Sequence, residues 1–160
     1  MTNTYIRPFS PSDAQWVIDQ HDVRYTRDEG FDATFGVLVK DIVTDFSTCH
    51  DPIRERGWIA ERDGQRLGCI FCMRLNDQTA KLRIFFLLPA ARGAGLGRRL
   101  LTTCMGFAKS AGYTRMQLWT HESHRAACAL YAKTGWTLRD SKRVHSFGVD
   151  LVEQSWQITL

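Results

Sequence analysis

The sequence lacks the features that would place the chain in a membrane or mark it for export. Its start, MTNTYIRPFSPSDAQW, has no charged segment followed by an apolar one. No uninterrupted apolar run approaches the roughly 18 residues that a membrane helix needs. We therefore expect a soluble, cytoplasmic protein with no membrane partner.

A strong charge of either sign is also missing. The chain has 21 Lys and Arg against 17 Asp and Glu, a formal net charge of +4 that is spread along its length. There is no basic stripe interleaved with aromatic residues, and no helix-turn-helix precedes the domain. We expect no nucleic-acid partner, because so mild a surplus suits an anionic small molecule at least as well.

The chain has too few cysteines, and an odd number of them, for a disulfide framework. The five cysteines form an odd set in a chain large enough to be stable without cross-links, which favours reduced thiols. Cys69 and Cys72 spell C-x-x-C, but LGCIFCMR reads as a strand, where residues three apart point to opposite faces. The stretch HESH does not complete H-E-x-x-H, because Arg125 stands where the second histidine would be. We expect no metal site.

What is present predicts one α/β domain over residues 1–160, since 44% hydrophobic content supports a core at this length. Capping residues near Ser12 and Asp13 open a first helix, and apolar residues recur every three or four positions between Phe35 and Phe46. Asp63 and Gly64 separate two strand-like runs, as in a hairpin. The predicted order is helix, helix, hairpin, strand, helix, strand, helix and two strands, WTLRD and EQSWQITL.

The most informative stretch is LRIFFLLPAARGAGLGRRLL, where a strand-like run breaks at Pro89 and three glycines precede a helical pattern. A strand, a glycine turn and a helix aim free backbone N–H groups at one point, which suits phosphate. The dinucleotide pattern G-x-G-x-x-G fails, because Arg98 and Leu100 stand where its last glycine would be. The P-loop pattern fails as well, since Arg98 and Arg99 replace its Lys and Ser or Thr. A plain tight turn is the structural alternative.

RGAGLG instead resembles the R-G-x-G-x-G/A pyrophosphate loop of the GCN5-related N-acetyltransferases (GNAT). The resemblance continues through MQLWTHESHRAACALYAKTGW, which supplies Tyr131 just before Gly135 and Trp136. The resemblance covers essentially the whole chain, which is most similar to the acetyltransferase half of MarR–GNAT fusion proteins. The regulator half is missing here, so DNA binding is not implied.

The resemblance implies an α/β fold with a mixed, mostly antiparallel sheet, about four flanking helices and a splayed strand pair that forms the cofactor cleft. Acetyl-CoA is the implied co-substrate, without a metal. The cofactor-binding residues that it implies are Phe86, Leu87, Leu88, Arg92, Gly93, Ala94, Gly95, Leu96, Gly97, Arg98, His124 and Tyr131. His124 stands where many members have an asparagine, which makes that one contact a departure from the family pattern.

The same resemblance implies a mechanism. The backbone N–H of Leu87 would form an oxyanion hole, and the Tyr131 hydroxyl would protonate the leaving thiolate. Its alternative is a buried tyrosine whose hydroxyl is satisfied internally. The general base is open among Glu122, His121 and Glu29, of which Glu122 is taken as the candidate.

Tyr25 and Glu29 lie between the first two helices, which overhang the acceptor side in this fold, and are the candidate substrate-binding residues. Acidic groups there would suit a cationic amine. His145 is predicted in a loop between the last strands, where it lines the acceptor site or caps a turn.

These observations predict an acetyl-CoA-dependent N-acetyltransferase that acts on a primary amine of a small molecule, with a peptide or protein acceptor also open. A non-catalytic acyl-CoA-binding or sensing module is the alternative, since such a module could keep the loop without turnover. The sequence leaves the oligomeric state open, a homodimer included.

Overall fold

A computed structural model describes residues 3–160 as a seven-stranded sheet with four α-helices and two short 3₁₀ turns. The elements in chain order are β1 (Thr4–Pro8), a 3₁₀ turn (Pro11–Asp13), α1 (Ala14–Asp28), α2 (Ala33–Cys49), β2 (Arg56–Arg62), β3 (Gln65–Arg74), β4 (Thr79–Leu87), a 3₁₀ turn (Pro89–Ala91), α3 (Leu96–Ser110), β5 (Arg115–His121), α4 (Arg125–Lys133), β6 (Thr137–Ser146) and β7 (Val149–Thr159).

The sheet has the strand order β1-β2-β3-β4-β5-β7-β6. Every neighbouring pair is antiparallel except β4 and β5, which run parallel. These two strands pair only through Thr79–Lys81 and Arg115–Gln117 and then separate. The predicted mixed, mostly antiparallel sheet with one splayed strand pair is confirmed.

Two apolar cores lie on the two faces of the sheet. α1 and α2 cover one face, where Val17, Val43 and Phe46 are buried against β2, β3 and β4. α3 and α4 cover the other face. Cys69 belongs to the first core and Cys72 to the second, because alternate residues of β3 point to opposite faces. Their thiols therefore lie on opposite sides of the sheet.

The first helix begins after a buried ion-pair network. Asp13 is fully buried, accepts hydrogen bonds from both terminal nitrogens of Arg7 at 2.8 and 2.9 Å, and accepts another from Nε of Arg66 at 2.8 Å. Its Oδ2 also accepts the backbone N–H of Ser10 at 2.8 Å. Asp13, predicted as part of a helix cap, thus also ties β1 and β3 to α1.

Three local expectations need correction. β1 was not predicted, because its five residues lack the alternation that marks a half-buried strand. The strand predicted at WTLRD extends to Ser146, and His145 lies in this strand rather than in a loop. β6 is almost entirely exposed at the edge of the sheet, so its residues carry no apolar pattern. Among the helices of residues 3–160, none is long and apolar enough to cross a membrane.

Candidate active site

The separation of β4 from β5 opens the sheet beside Leu87. Leu88 donates its backbone N–H to the carbonyl of Leu67 on the β3 side at 2.8 Å. Because successive N–H groups of a strand point to opposite edges, the N–H of Leu87 points toward the gap left by β5. This leaves one backbone donor aimed into a space between two strands, which is the arrangement that an oxyanion hole requires.

Local irregularity in β4 and β3 sets the position of this donor. The register between Cys69 and Phe71 skips a residue, so two β4 residues, Ile84 and Phe85, face Ile70 alone. Ile84 takes a positive φ of 51°, which is unusual for a β-branched residue. Opposite the end of β4, a Cβ at Gly68 would lie 2.6 Å from the carbonyl oxygen of Phe86. Gly68 thus permits the close approach of the strands, a role that sequence reasoning missed.

The glycine loop leads into the N-terminus of α3 with two left-handed residues. Gly93 has φ 86° and Gly95, the residue before α3, has φ 77°. A Cβ built on either would meet nothing within 4 Å, so the loop backbone is open to whatever lies against it. Free N–H groups at a helix N-terminus beside open space fit a pyrophosphate. The residues present therefore fit coenzyme A.

A cleft of about 520 Å³, here named the loop cleft, lies along this loop. Most of the residues predicted to bind the cofactor line it, namely Phe86, Leu87, Arg92, Gly93, Gly95, Leu96, Gly97, Arg98 and His124. Leu88, Ala94 and Tyr131 do not line it; Leu88 packs instead against the two cores, and Tyr131 lines a second cavity. Ser123, Arg125 and Leu130 line the cleft as well, and sequence reasoning missed them because only the fold brings the start of α4 to the loop.

A second cavity of about 220 Å³, here named the side cavity, lies between α1, α2 and the diverging strands. Four residues line both spaces: Tyr25, Phe85, His124 and Ala127. The two spaces therefore adjoin at these four residues.

Tyr131 lines the side cavity and is 3% exposed. Its ring packs near Trp136 and Trp156, with centroids 5.7 and 6.0 Å away. No residue in the described part of the chain hydrogen-bonds to its hydroxyl, which distinguishes it from an internally satisfied core tyrosine. Burial raises the pKa of Tyr131 well above its ordinary value of 10, so the phenol stays protonated.

The histidines of the side cavity are held neutral by burial. Burial lowers the pKa of His121 below its usual 6.5, although Glu153 and Glu29 oppose the shift. His121 lines the side cavity, and its buried Nδ1 has no hydrogen-bond partner among residues 3–160. His124 precedes α4, and burial lowers its pKa as well. A neutral imidazole can accept a proton, so His121 is a candidate general base.

The structure does not bring Glu122 to this site. Glu122 lies in the exposed turn after β5 and lines neither the loop cleft nor the side cavity. The two residues that follow it, Ser123 and His124, do line the loop cleft. The backbone N–H of Glu122 donates to the carbonyl of Val152 on β7 at 2.8 Å, and its side chain is exposed.

The two predicted substrate residues lie at the loop cleft, and one of them is already engaged. Tyr25 lines both spaces, and burial raises the pKa of its hydroxyl. Glu29 lines the loop cleft and accepts a hydrogen bond from Ser123 Oγ at 3.1 Å. No cluster of metal-ligating side chains occurs within residues 3–160.

Comparisons with known proteins agree with this geometry. Residues 15–136 match the model of the acetyltransferase (GNAT) family. A mycothiol acetyltransferase from Thermomonospora curvata is 30% identical over 98 residues, 61% of this chain and 30% of that one. An uncharacterised N-acetyltransferase from Mycobacterium bovis is 28% identical over 83 residues, 52% of this chain and 53% of that one. The chain thus spans a third to a half of the length of these relatives.

A solved structure shows the same fold. The yncA acetyltransferase of Salmonella typhimurium, solved with its cofactor acetyl-CoA, superposes with a TM-score of 0.80 at 19% identity and covers 98% of this chain and 94% of its own. An α/β domain with a splayed sheet and a pyrophosphate-type loop is the class that the fold and site define. With a family match over most of its length, the chain belongs to the acetyltransferase (GNAT) family. The predicted membership of this acetyltransferase family is therefore confirmed.

Proposed function

We propose that the protein transfers the acetyl group of acetyl-CoA to a primary amine of a small molecule. One observation carries this proposal: the loop cleft and the side cavity adjoin at Tyr25, Phe85, His124 and Ala127. A module that only binds or senses acyl-CoA needs the loop cleft alone. The second space gives an acceptor access to the same point.

The glycine loop would bind the pyrophosphate of acetyl-CoA. The backbone amides from Gly93 to Arg98 would hold the pyrophosphate, assisted by the dipole of α3 and by the charges of Arg92 and Arg98. Acetyl-CoA supplies an activated thioester when bound. The chain's own residues then have to stabilise negative charge on one oxygen, take one proton from the amine and give one proton to the sulfur.

A candidate group for each task lies in or beside the two spaces. The N–H of Leu87 would donate to the carbonyl oxygen, and a preorganised donor there lowers the barrier by about 3 kcal/mol. Tyr131, whose hydroxyl has no other partner within the described chain, would give its proton to the sulfur as the carbon–sulfur bond breaks. His121, neutral and in the wall of the side cavity, would accept the proton of the amine nitrogen as the carbon–nitrogen bond forms.

An acceptor screen tests the proposal. Purified protein is incubated with acetyl-CoA and a panel of primary amines, and acetylated products are identified by mass spectrometry. We expect turnover with at least one small amine, reduced about a hundredfold by Tyr131→Phe. Tight binding of acetyl-CoA with no product from any small-molecule, peptide or protein amine would favour the sensing module instead.

A further inference from the structure

The side cavity is cationic and contains no acid. Among the described residues that line it there is no Asp or Glu, whereas Lys81 and Arg83 line it from β4. At neutral pH, Lys81 and Arg83 carry the positive charge of the side cavity. Its three histidines, His21, His121 and His124, have pKa values lowered by burial, to about 4 for His21.

Lys81 and Arg83 point to the same side for a topological reason. They stand two residues apart on β4, and they pair with Met73 and Phe71 of β3, which belong to the core under α1 and α2. Residues two apart on a strand share a face. Both side chains therefore reach the side cavity, while Leu82 between them is buried in the opposite core.

Neither cation has an acidic partner. No residue in the described range 3–160 forms a hydrogen bond or an ion pair with the side chain of Lys81 or Arg83, and both side chains are partly buried. Lys81 Nζ lies 4.6 Å from the centroid of the Trp119 ring, its one favourable electrostatic contact here. Burial lowers the pKa of both groups, and Arg83 lowers that of Lys81 further. Two neighbouring, partly desolvated positive charges would be stabilised by an anion between them.

Much of the remaining wall of the side cavity is apolar. Phe35, Leu38, Val39 and Ile42 of α2 line the side cavity, and Trp119 of β5 lines it as well. Leu38 and Trp119 are each 43% exposed, which is high for large apolar side chains. Such a wall suits the hydrocarbon portion of a ligand.

We propose that the acceptor is an amine with an apolar middle and an anionic group, a carboxylate or a phosphate, that Lys81 and Arg83 bind. This inference rests on the proposed function. Arg83 precedes Leu87 by four residues of β4. An anion held at Arg83 and an amine that reacts beside Leu87 would therefore lie at opposite ends of the acceptor.

Four amines of the same chain length test the proposal: hexylamine, ω-aminohexanoate, aminohexyl phosphate and diaminohexane. We expect kcat/KM for at least one of the two anionic amines to exceed that for hexylamine at least tenfold, and diaminohexane to be the poorest acceptor. The better of the two anionic amines identifies the group as carboxylate or phosphate. Equal use of hexylamine and both anionic amines, or a preference for diaminohexane, would overturn the proposal.

Two variants test whether Lys81 and Arg83 cause the preference for anionic amines. Arg83→Gln and Lys81→Gln should raise KM for the anionic amine about tenfold while leaving hexylamine turnover and acetyl-CoA affinity unchanged, because neither residue lines the loop cleft. Arg139→Gln removes an exposed cation of β6 and should change nothing. Equal losses for all acceptors would mean a structural role and would contradict the proposal.

A binding measurement separates this inference from the proposed function. Hexanoate and hexyl phosphate carry the anion but no amine, and either can be titrated calorimetrically into protein saturated with coenzyme A. We expect one of them to bind the wild-type protein and to bind at least tenfold more weakly to Arg83→Gln, whether or not any amine is turned over. Binding of neither ligand, or equal binding to both proteins, would overturn the anion site even if the acetyltransferase activity is found.

Discussion

Glu29 Oε1 lies 3.2 Å from Nε2 of His124, and this contact joins the end of α1 to the residue that precedes α4. Ser123 Oγ donates to the other carboxylate oxygen of Glu29 at 3.1 Å. Thr120 Oγ1 lies 3.2 Å from Nδ1 of His124 on the opposite side of the ring. His124, which replaces the asparagine of many family members, is therefore held between two elements at the edge of the loop cleft.

Replacing the carboxylate should change the titration of this histidine. Glu29 favours the protonated imidazole, although burial lowers the pKa of His124 overall. Glu29→Gln removes the favourable charge, so His124 should lose its proton at a lower pH than in the wild type. An NMR titration of the ring protons measures the midpoint. Asp28→Asn, a neighbouring exposed change, is the control, and an unchanged midpoint in Glu29→Gln would contradict the assigned contact.

Tyr131→Phe should reduce turnover about a hundredfold, the lower end of what a positioned general acid contributes. Its melting temperature should stay near the wild-type value, because the hydroxyl has no partner within the described chain. Tyr113→Phe is the matched control. Tyr113 is equally buried, but its hydroxyl donates to the carbonyl of Arg54 at 2.8 Å.

The control variant should therefore lose about 1 kcal/mol of unfolding free energy and keep its turnover. Kinetics and thermal unfolding of the two variants separate chemistry from packing. Normal turnover of Tyr131→Phe across the pH range would exclude the hydroxyl as the acid.

Gly95→Val should weaken coenzyme A binding strongly, because a side chain there would occupy the open space against the loop. Gly64→Val is matched for backbone strain, since Gly64 in the hairpin has φ 76°, against 77° for Gly95, and also has open space around it. Both variants should lose roughly 1–2 kcal/mol or more of stability. Only Gly95→Val should lose affinity, as measured by calorimetry. Equal affinities in the two variants would remove the loop from the binding site.

The Asp13 network predicts a pH-dependent stability. The guanidinium of Arg7, with help from Arg66 and the Ser10 N–H, holds the pKa of Asp13 well below its ordinary value against the opposing effect of burial. A carboxyl whose folded-state pKa is lowered contributes stability above its unfolded pKa of about 3.9 and loses it as the pH falls further.

Asp13→Asn should therefore cost about 3 kcal/mol at neutral pH, because it leaves Arg7 and Arg66 without their shared partner. The difference from the wild type should shrink as the pH falls below about 4. Urea unfolding at several pH values measures both quantities. A difference that is constant with pH would show that the carboxylate charge is not involved.

The thiols should differ sharply in reactivity. Cys49 is exposed, whereas Cys69, Cys72 and Cys104 are fully buried, and burial raises the pKa of Cys69 and Cys104. A thiol reagent should label Cys49 quickly and these three only after unfolding. Mass spectrometry of protein from a reducing cytoplasm should detect no Cys69–Cys72 bridge. Its detection would contradict the placement of the two thiols on opposite faces.

The sequence could predict the elements whose residues carry a strong local pattern. The periodic α2, the hairpin at Asp63 and Gly64, and the glycine turn before α3 all follow from side-chain spacing or from the need for positive φ. β1 and most of β6 could not be predicted, because edge strands with exposed polar residues lack a buried face. His145 was misplaced for this reason.

The cofactor loop was accessible from sequence because its residues are contiguous. The side cavity was not, since Lys81, Phe35 and Tyr131 come together only where β4 and β5 separate. Glu122, the candidate base, lies outside both spaces, which the sequence could not show for the same reason. Sequence distance places it beside His121 and His124, but only the geometry of the turn decides which of the three side chains points inward.

The sheet is continuous in strand order but narrow at its middle, where β4 and β5 pair with each other only through Thr79–Lys81 and Arg115–Gln117. Three consecutive residue pairs join a four-stranded part of the sheet to a three-stranded part. The angle between these two parts sets the width of the gap beside Leu87. The width of this gap is therefore a property of the whole sheet and not of the glycine loop alone.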